Sequence, residues 1–325
     1  GQIIYLIKRI YLLLLISSRY DLLFVVGDVI PITAAWLTGV PVVTYLVAYS
    51  SHYEGNLRLP WPCSNCLSSE KFLKVFTRDK LTECELKKKL FCKVEFIGNP
   101  FMDPFLTKIR LLPKHNKRLG ILPGSRMPEV GENLCLILSV VEYISNLKNV
   151  CTDISFDVAL VPSLDDNSLK KIVTLSGWRL CYPTFKDHPL RLIKNQATVN
   201  IYRNSFVKIV KSSNVLISMA GTATEQASLL GKYIVQLEGN GPQFNASFAE
   251  AQRRLLGSNI FCANGSVKED RNMIETSNLI LELLEISFKD SLLNQKLDDE
   301  SLEVKQVEGV SEEIAKLITN SFLKY

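Results

Sequence analysis

The sequence predicts an α/β protein built as two doubly wound, Rossmann-like domains with a cleft between them, and three observations predict it. Short β-branched apolar runs alternate with segments of helical period, the pattern of parallel strands joined by crossover helices. That alternation breaks once, at a stretch rich in Pro, Gly and Asn, and then restarts. Several apolar runs end in Gly- or Asp-containing turns that lead straight into a helical segment, where open parallel sheets hold ligands. With 325 residues, 47% of them hydrophobic, the chain is long enough for about two domains that each bury a core.

Taken in order, "IIYLIKRIYLLLLIS" (Ile3 to Ser17) is apolar but interrupted by Lys8 and Arg9. It falls short of the roughly 18 uninterrupted apolar residues of a spanning helix, so a buried or interfacial helix is expected. The sequence opens on Gly1 without the succession of a signal peptide, which reads as a fragment or a processed product. "DLLFVVGD" (Asp21 to Asp28) is a strand, "PITAAWLTG" a helix with Pro31 at its start and Gly39 at its end, and "PVVTYLVAYSS" the next strand. "KFLKVFTRD" is a strand ending near Thr77, and "KLTECELKKKLF" a basic amphipathic helix.

The break covers "FIGNPFMDPF" and "LLPKHNK" and places the domain boundary near residue 105. Residues 1–105 form the first domain, residues 106–304 the second and residues 305–325 a C-terminal helix. The second domain repeats the rhythm: "LGIL", a helix from about Pro128 to Leu147, "SFDVALVP", a helix near Asp166 to Leu175, "WRLCYP" and "TVNIY". After "SFVKIVKSS" come "NVLISM", a helix from the following turn, "KYIVQL", a helix near Ser247 to Leu256, and "NIFCA". The tail from Glu269 reads as helical and acidic.

The eight cysteines are scattered, mostly inside apolar runs, as reduced core cysteines are. Only "CSNC" (Cys63 to Cys66) has metal-ligand spacing, and no second paired motif completes a four-ligand zinc site; no metal and no cofactor are expected. The formal charge of +5 is uneven. Residues 1–105 carry 12 basic and 9 acidic side chains, residues 106–265 carry 19 and 11, and residues 266–325 carry 7 and 13. The basic middle suits an anionic ligand or lipid headgroups, and the lack of a basic stripe with interleaved aromatics argues against nucleic acid.

Three loops stand at expected strand ends. In "VVGDVIP", Asp28 follows a strand and is either a general base facing a cleft or the cap of the next helix. In "LGILPGSRMPEV", Gly124 permits a tight turn, Ser125 and backbone amides can donate to phosphate, and Arg126 can pair with an anion. The other reading is a capped helix with Pro128 and Glu129 in its first turn. In "NVLISMAGTATEQASLLGKYIV", the strand delivers Gly221 and Thr222 to a helix N-terminus, where free amides and the helix dipole attract a diphosphate. Glu225 could accept from ribose hydroxyls, but Thr222 with Glu225 is equally a capping box. Neither a Walker A lysine pattern nor GxGxxG occurs.

Read together, these motifs resemble the glycosyltransferase B (GT-B) superfamily, and most closely the lipid A disaccharide synthase family and its related branch. The resemblance rests on "VVGD", "VFTRDK", "FIGNPFMDP", "ILPGSRMPEV" and "SMAGTATEQASLLGKYIVQ", in that order through most of the chain. It implies that the second domain holds a UDP-sugar, that the first positions the acceptor, and that no metal is needed. Carried over, Gly124, Ser125 and Arg126 lie near phosphate, Gly221 and Thr222 donate to it, and Glu225 holds the ribose. "GPQFNASFAEAQRRLLG" resembles the nucleotide-side loop, which adds Gln243, Asn245 and Gln252.

The chain departs from the family on the acceptor side. The family's aspartate pair is matched at Asp28, while Ile32 stands about where the second would be. Asn99 occupies the place of the family's histidine, and "VAYSSHYEG" replaces a Trp-containing loop. The glycine-rich loop that normally begins the first domain is not in this sequence. The expected function is metal-independent, inverting transfer of a sugar from a UDP-sugar of the UDP-GlcNAc type to a lipid-linked or glycan hydroxyl. The alternatives are a UDP-GlcNAc 2-epimerase-like reaction and a non-catalytic nucleotide-binding paralogue. A cytoplasmic location is expected, with peripheral membrane contact through Ile3 to Ile16 set against a sheet-covering role for the same helix.

Overall fold

The computed structural model of the chain describes residues 2–47, 49–51, 57, 59–90, 93–113, 117–147, 153–185, 188–239, 257–295 and 309–322. The chain forms two compact units, one of residues 1–107 with 304–325 and one of residues 108–303.

The first unit contains α1 (Gln2–Ser17), β1 (Leu23–Val26), α2 (Val29–Thr38), β2 (Val42–Tyr45), α3 (Trp61–Ser68), β3 (Phe72–Phe76), α4 (Lys80–Leu90) and β4 (Val94–Glu95). A 3-10 helix (Pro100–Phe105) and the C-terminal helix (Val310–Phe322) complete it. Its four strands lie in the order β1-β2-β3-β4 and pair in parallel throughout. Among the described residues, Ile32, Leu46, Phe72 and Leu86 belong to the larger of two apolar clusters in this unit. Val43, Tyr45 and Phe76 form the other with Ile314 of the C-terminal helix.

That second cluster gives the tail its place: read from sequence as a segment of its own, it belongs to the first unit. The Asp103 carboxylate fixes the helix start by accepting from the Val310 and Ser311 amides at 2.9 and 2.8 Å, satisfying donors that the helix itself leaves over.

The expectation of a buried first helix is corrected. Ile3, Ile4 and Ile7 of α1 are 74%, 72% and 61% exposed. Among the described residues no helix is long and apolar enough to cross a membrane.

The second unit runs β5 (Lys117–Leu122), α5 (Glu129–Asn146), β6 (Ile154–Leu160), α6 (Asp166–Leu175), β7 (Arg179–Cys181), β8 (Leu190–Lys194) and β9 (Ala197–Arg203). Then follow α7 (Phe206–Ser212), β10 (Val215–Ser218), α8 (Thr222–Leu229), β11 (Tyr233–Gln236), β12 (Ile260–Cys262) and α9 (Asp270–Gln295). The sheet order is β12-β11-β10-β5-β6-β9-β8-β7.

One correction concerns the edge. β7, β8 and β9 form an antiparallel meander, and "LRLIK" supplies a strand that the sequence reading passed over. The residue that turns the chain is Asn195, at φ 51° between β8 and β9, a left-handed position that asparagine tolerates. The helix expected near Ser247 to Leu256 lies outside the described residues.

α5 forms because Val130, Leu134, Ile137, Leu138, Val141 and Ile144 fall on one face, all buried against the sheet. Each such side chain contributes about 1.5–3 kcal/mol. β6 is apolar along its length except for Ser155 and Asp157, as expected of a strand covered on both faces. Buried Asp157 pairs with Arg118 and also accepts from Ser155 and Asn200, so the charge is not left alone in the core.

Candidate nucleotide site

The second sheet starts in its middle. From β5 the chain builds outward to β6 and β9, then returns to lay β10 on the other flank of β5. Right-handed crossovers that run in opposite directions send α5 and α8 to opposite faces. The loops after β5 and β10 therefore diverge, opening a crevice at the carboxyl ends of the strands.

A cavity of about 480 Å³ occupies that crevice. The turn after β5 contributes Gly124, Ser125 and Arg126, and the turn after β10 contributes Gly221 and Thr222. Two motifs almost a hundred residues apart in sequence thus face one space. Ser125, Arg126, Gly221 and Thr222 are solvent-exposed at its mouth. Val161, Pro162 and Phe206, from the ends of β6 and β9, give the cavity an apolar side.

The two turns are braced. Gly124 sits at φ 99°, and a Cβ there would lie 2.8 Å from the Met219 carbonyl oxygen, so both its backbone conformation and its surroundings require glycine. Asn133, one turn into α5, donates its side-chain amide to the Pro123 carbonyl at 3.0 Å. Behind the other turn, the fully buried Thr224 hydroxyl bonds the Ala220 carbonyl at 2.5 Å and lies 2.7 Å from the Ser218 hydroxyl. Arg203 holds the β6 loop through the Val161 carbonyl at 3.0 Å and the Asp166 carboxylate at 2.7 Å.

The reading of Thr222 as a cap does not hold, whereas the helix after β5 does start at Pro128 and Glu129, as its alternative reading expected. α8 begins at Thr222 with Gly221 as its N-cap, and α5 begins at Glu129 with Pro128 as its N-cap; neither start has a side-chain cap. Nearby α6 is capped in the ordinary way, its Asp165 carboxylate accepting from the Asn167 and Ser168 amides. At the α5 start the Val130 and Gly131 amides are taken by the Arg126 and Pro128 carbonyls, so the start of α8, with Gly221 as its N-cap, is the better placed of the two to offer backbone donors to an anion.

The remaining expected residues are distributed as follows. Glu225 lies on the first turn of α8, but the residues of that helix that line the cavity are Thr222, Ala223 and Gln226. Gln243, Asn245 and Gln252 lie outside the described residues. Asp28 and Asn99 belong to the first unit. Asp28 makes no side-chain cap to α2, and its Oδ1 instead accepts from the Val47 amide at 3.2 Å. Asn99 is a cap: its side chain accepts from the Phe101 amide at 3.0 Å and starts the 3-10 helix. Ile32 is fully buried.

Cys63 and Cys66 are buried on α3, and burial pushes the Cys63 thiol up to about 12. Such a thiol is a poor metal ligand or nucleophile, and no metal-binding cluster of His, Cys, Asp and Glu occurs among the described residues.

Sequence reasoning missed Asn133, Ser218, Thr224 and Gln226. The signal for Asn133 and Thr224 is a polar residue at an otherwise apolar helical position behind a turn. Ser218 and Gln226 carry no comparable signal.

No protein-family model matches the chain. It is 30% identical over 148 residues to the lipid-A-disaccharide synthase of Persephonella marina, a match covering 43% of this chain and 34% of the relative. The chain thus spans about a third of the length of the curated relative it matches. Among solved structures, it superposes on a Listeria monocytogenes protein named as a UDP-N-acetylglucosamine 2-epimerase with a TM-score of 0.53 at 14% identity, over 96% of this chain and 78% of the other. The S. aureus MnaA–UDP co-structure gives 0.52 at 14% identity, over 97% and 78%. The fold is the GT-B type with Rossmann-like, largely parallel sheets.

Proposed function

We propose that the second unit binds a UDP-sugar through its diphosphate, and that the protein moves the sugar to a hydroxyl of a lipid-linked or glycan acceptor with inversion. The observation that carries this reading is the meeting of two uncapped helix starts, with Ser125 and Arg126 beside them, in one cavity at the point where strand order reverses. The partial match to a lipid-A-disaccharide synthase supports transfer as the reaction.

In such a transfer the acceptor oxygen bonds to C1 of the sugar while the C1–O bond to the β-phosphate breaks, and the electron pair leaves with UDP. Arg126, Ser125 and the Gly221 and Thr222 amides stabilise the charge that gathers on the diphosphate, in most enzymes a large share of catalysis. The acceptor's proton goes to a carboxylate, for which we assign Asp28. Glu225 is assigned the ribose. No metal enters the scheme.

Calorimetry with UDP and UDP-GlcNAc tests the nucleotide half: binding in the micromolar to low millimolar range is expected, and no heat at millimolar ligand refutes it. Asp28→Asn should abolish most turnover of an acceptor once one is found; unchanged turnover removes the base assignment.

A second reading takes the reaction in the Listeria protein's name, epimerisation without an acceptor. Proton NMR of a UDP-GlcNAc incubation separates it from transfer, because a new C2 epimer grows in without any acceptor. A third, non-catalytic reading draws on buried Ile32 and on Asn99 being spent as a cap; it requires UDP binding with no turnover across acceptors.

We also propose that α1 lies on a bilayer surface. Its exposed isoleucines, leucines and tyrosines are punctuated by Lys8 and Arg9, a composition suited to the headgroup boundary. Co-sedimentation with anionic vesicles should be lost in Ile7→Asp with Leu14→Asp, while the far-UV spectrum stays unchanged.

A further inference from the structure

Resting on the UDP-sugar reading of the cavity, we infer that Glu129 is a further ligand-binding residue, whose carboxylate accepts a hydrogen bond from a sugar hydroxyl of the bound nucleotide. Glu129 is the first residue of α5, three positions beyond Arg126, and lines the cavity. Its Oε2 is buried and has no hydrogen-bond partner among the described residues. A buried carboxylate oxygen with no donor is costly, and native folds leave few of them without a reason.

The chemistry of the atom restricts what can complete it. An ionised carboxylate only accepts, so a phosphate oxygen cannot be its partner; the group that meets it must carry an O–H or N–H. The same cavity presents Ser125, Arg126 and two uncapped helix starts, all of which favour an anion. A ligand that satisfies both demands carries an anionic group and, a few ångströms away, a hydroxyl. Inorganic phosphate has no hydroxyl set a few ångströms from its anionic centre and a free nucleobase has no anionic group, whereas a phosphorylated sugar has both.

Asn133, the other polar residue of α5 that lines the cavity, is held in place by donating its side-chain amide to the Pro123 carbonyl. The position has a separate structural value, since an acidic residue in a first turn suits the helix dipole. A purely structural role would alter folding and leave the preference among ligands untouched, which separates the two explanations.

The hydroxyl belongs either to the ribose or to the transferred sugar, and three probes distinguish them: pyrophosphate with neither, UDP with the ribose, and UDP-GlcNAc with both. Calorimetric titration of wild type and Glu129→Gln with each is the test, with Glu129→Ala as a second variant and thermal unfolding of the free proteins as a folding control. The expected result is pyrophosphate bound as well as or better than by wild type, because a negative charge has gone, and UDP-GlcNAc bound about ten-fold more weakly. UDP weakened in parallel assigns the ribose hydroxyl; UDP unchanged assigns the transferred sugar. Equal loss for all three probes, or no loss for any, overturns the assignment of Glu129 while leaving the cavity's reading intact. A wild type that binds none of the three overturns the UDP-sugar reading, and this inference with it.

Discussion

Both units lay parallel strands side by side and both place polar residues at the carboxyl ends of those strands, yet they spend those residues differently. In the first unit the carboxylates and the amide are used on the fold. Asp79 caps α4 by accepting from the Thr82 amide and also takes hydrogen bonds from the Ser50 and Thr82 hydroxyls. Asn99 starts the 3-10 helix and Asp103 starts the C-terminal helix. In the second unit α6 is capped in the same way, but the helices that flank the reversal of strand order, α5 and α8, are not. The strand order explains the difference. β1 to β4 follow one another in sequence order, whereas β5 is flanked by β6 and β10. Only the second arrangement separates the helix starts after two neighbouring strands, β5 and β10, and leaves space for a ligand between them.

Four substitutions would break or sharpen this contrast, beginning with the largest effect. Asp157→Ala leaves the Arg118 guanidinium buried without its partner and should cost about 3–5 kcal/mol. Urea denaturation followed by the emission of buried Trp178 in the second unit would read it. A cost below about 1 kcal/mol would mean that water or a rearranged loop replaces the pair. Gly124→Ala forces a Cβ against the Met219 carbonyl at a left-handed φ and should cost about 1–3 kcal/mol, with UDP binding lost along with the turn's shape. Normal stability and normal UDP affinity together would show that the β5 turn is not held as described.

Asp103→Ala removes two hydrogen bonds from the start of the C-terminal helix, at a cost of about 0.5–2 kcal/mol. The Val310 and Ser311 amides should exchange faster with solvent while UDP binding by the second unit is unchanged. If UDP binding also falls, the division of labour between the units is wrong. Gly221→Ala is expected to be nearly silent for folding, within about 0.5 kcal/mol, because its φ is −79° and no atom lies within 4 Å of a Cβ there. UDP affinity should nonetheless drop about ten-fold, since the added methyl stands at the mouth of the cavity. Equal affinity would remove the α8 turn from the site.

Much of this was legible in the sequence, and what was missed has identifiable causes. β1, β2 and β3 of the first unit and β5, β6, β10 and β11 were readable because continuous β-branched runs bounded by Gly, Pro or Asp leave few alternatives; β4, two residues long, was not read. β8 was missed because "LRLIK" interleaves basic with apolar residues and its partner lies across a two-residue turn signalled by a single asparagine. For α1 the sequence left a buried and an interfacial helix open, because an apolar helix looks the same in sequence whether it is covered or exposed. The pairing of "LPGSR" with "GTAT" in one site could be suspected from order and resemblance, but the capping alternatives for each turn used the same residue types and could not be dismissed by spacing.

By itself, then, the sequence determined the alternation of strands and helices, because that follows from local pattern and backbone preference, and it singled out the two turns after β5 and β10 as candidates. Only the tertiary structure decided that β10 lies against β5, that Asp28 and Asn99 bond backbone amides of their own unit, and that Gln226 and Glu129 line the cavity. Those outcomes depend on which strands become neighbours across a hundred residues of chain, a consequence of packing that no local pattern encodes.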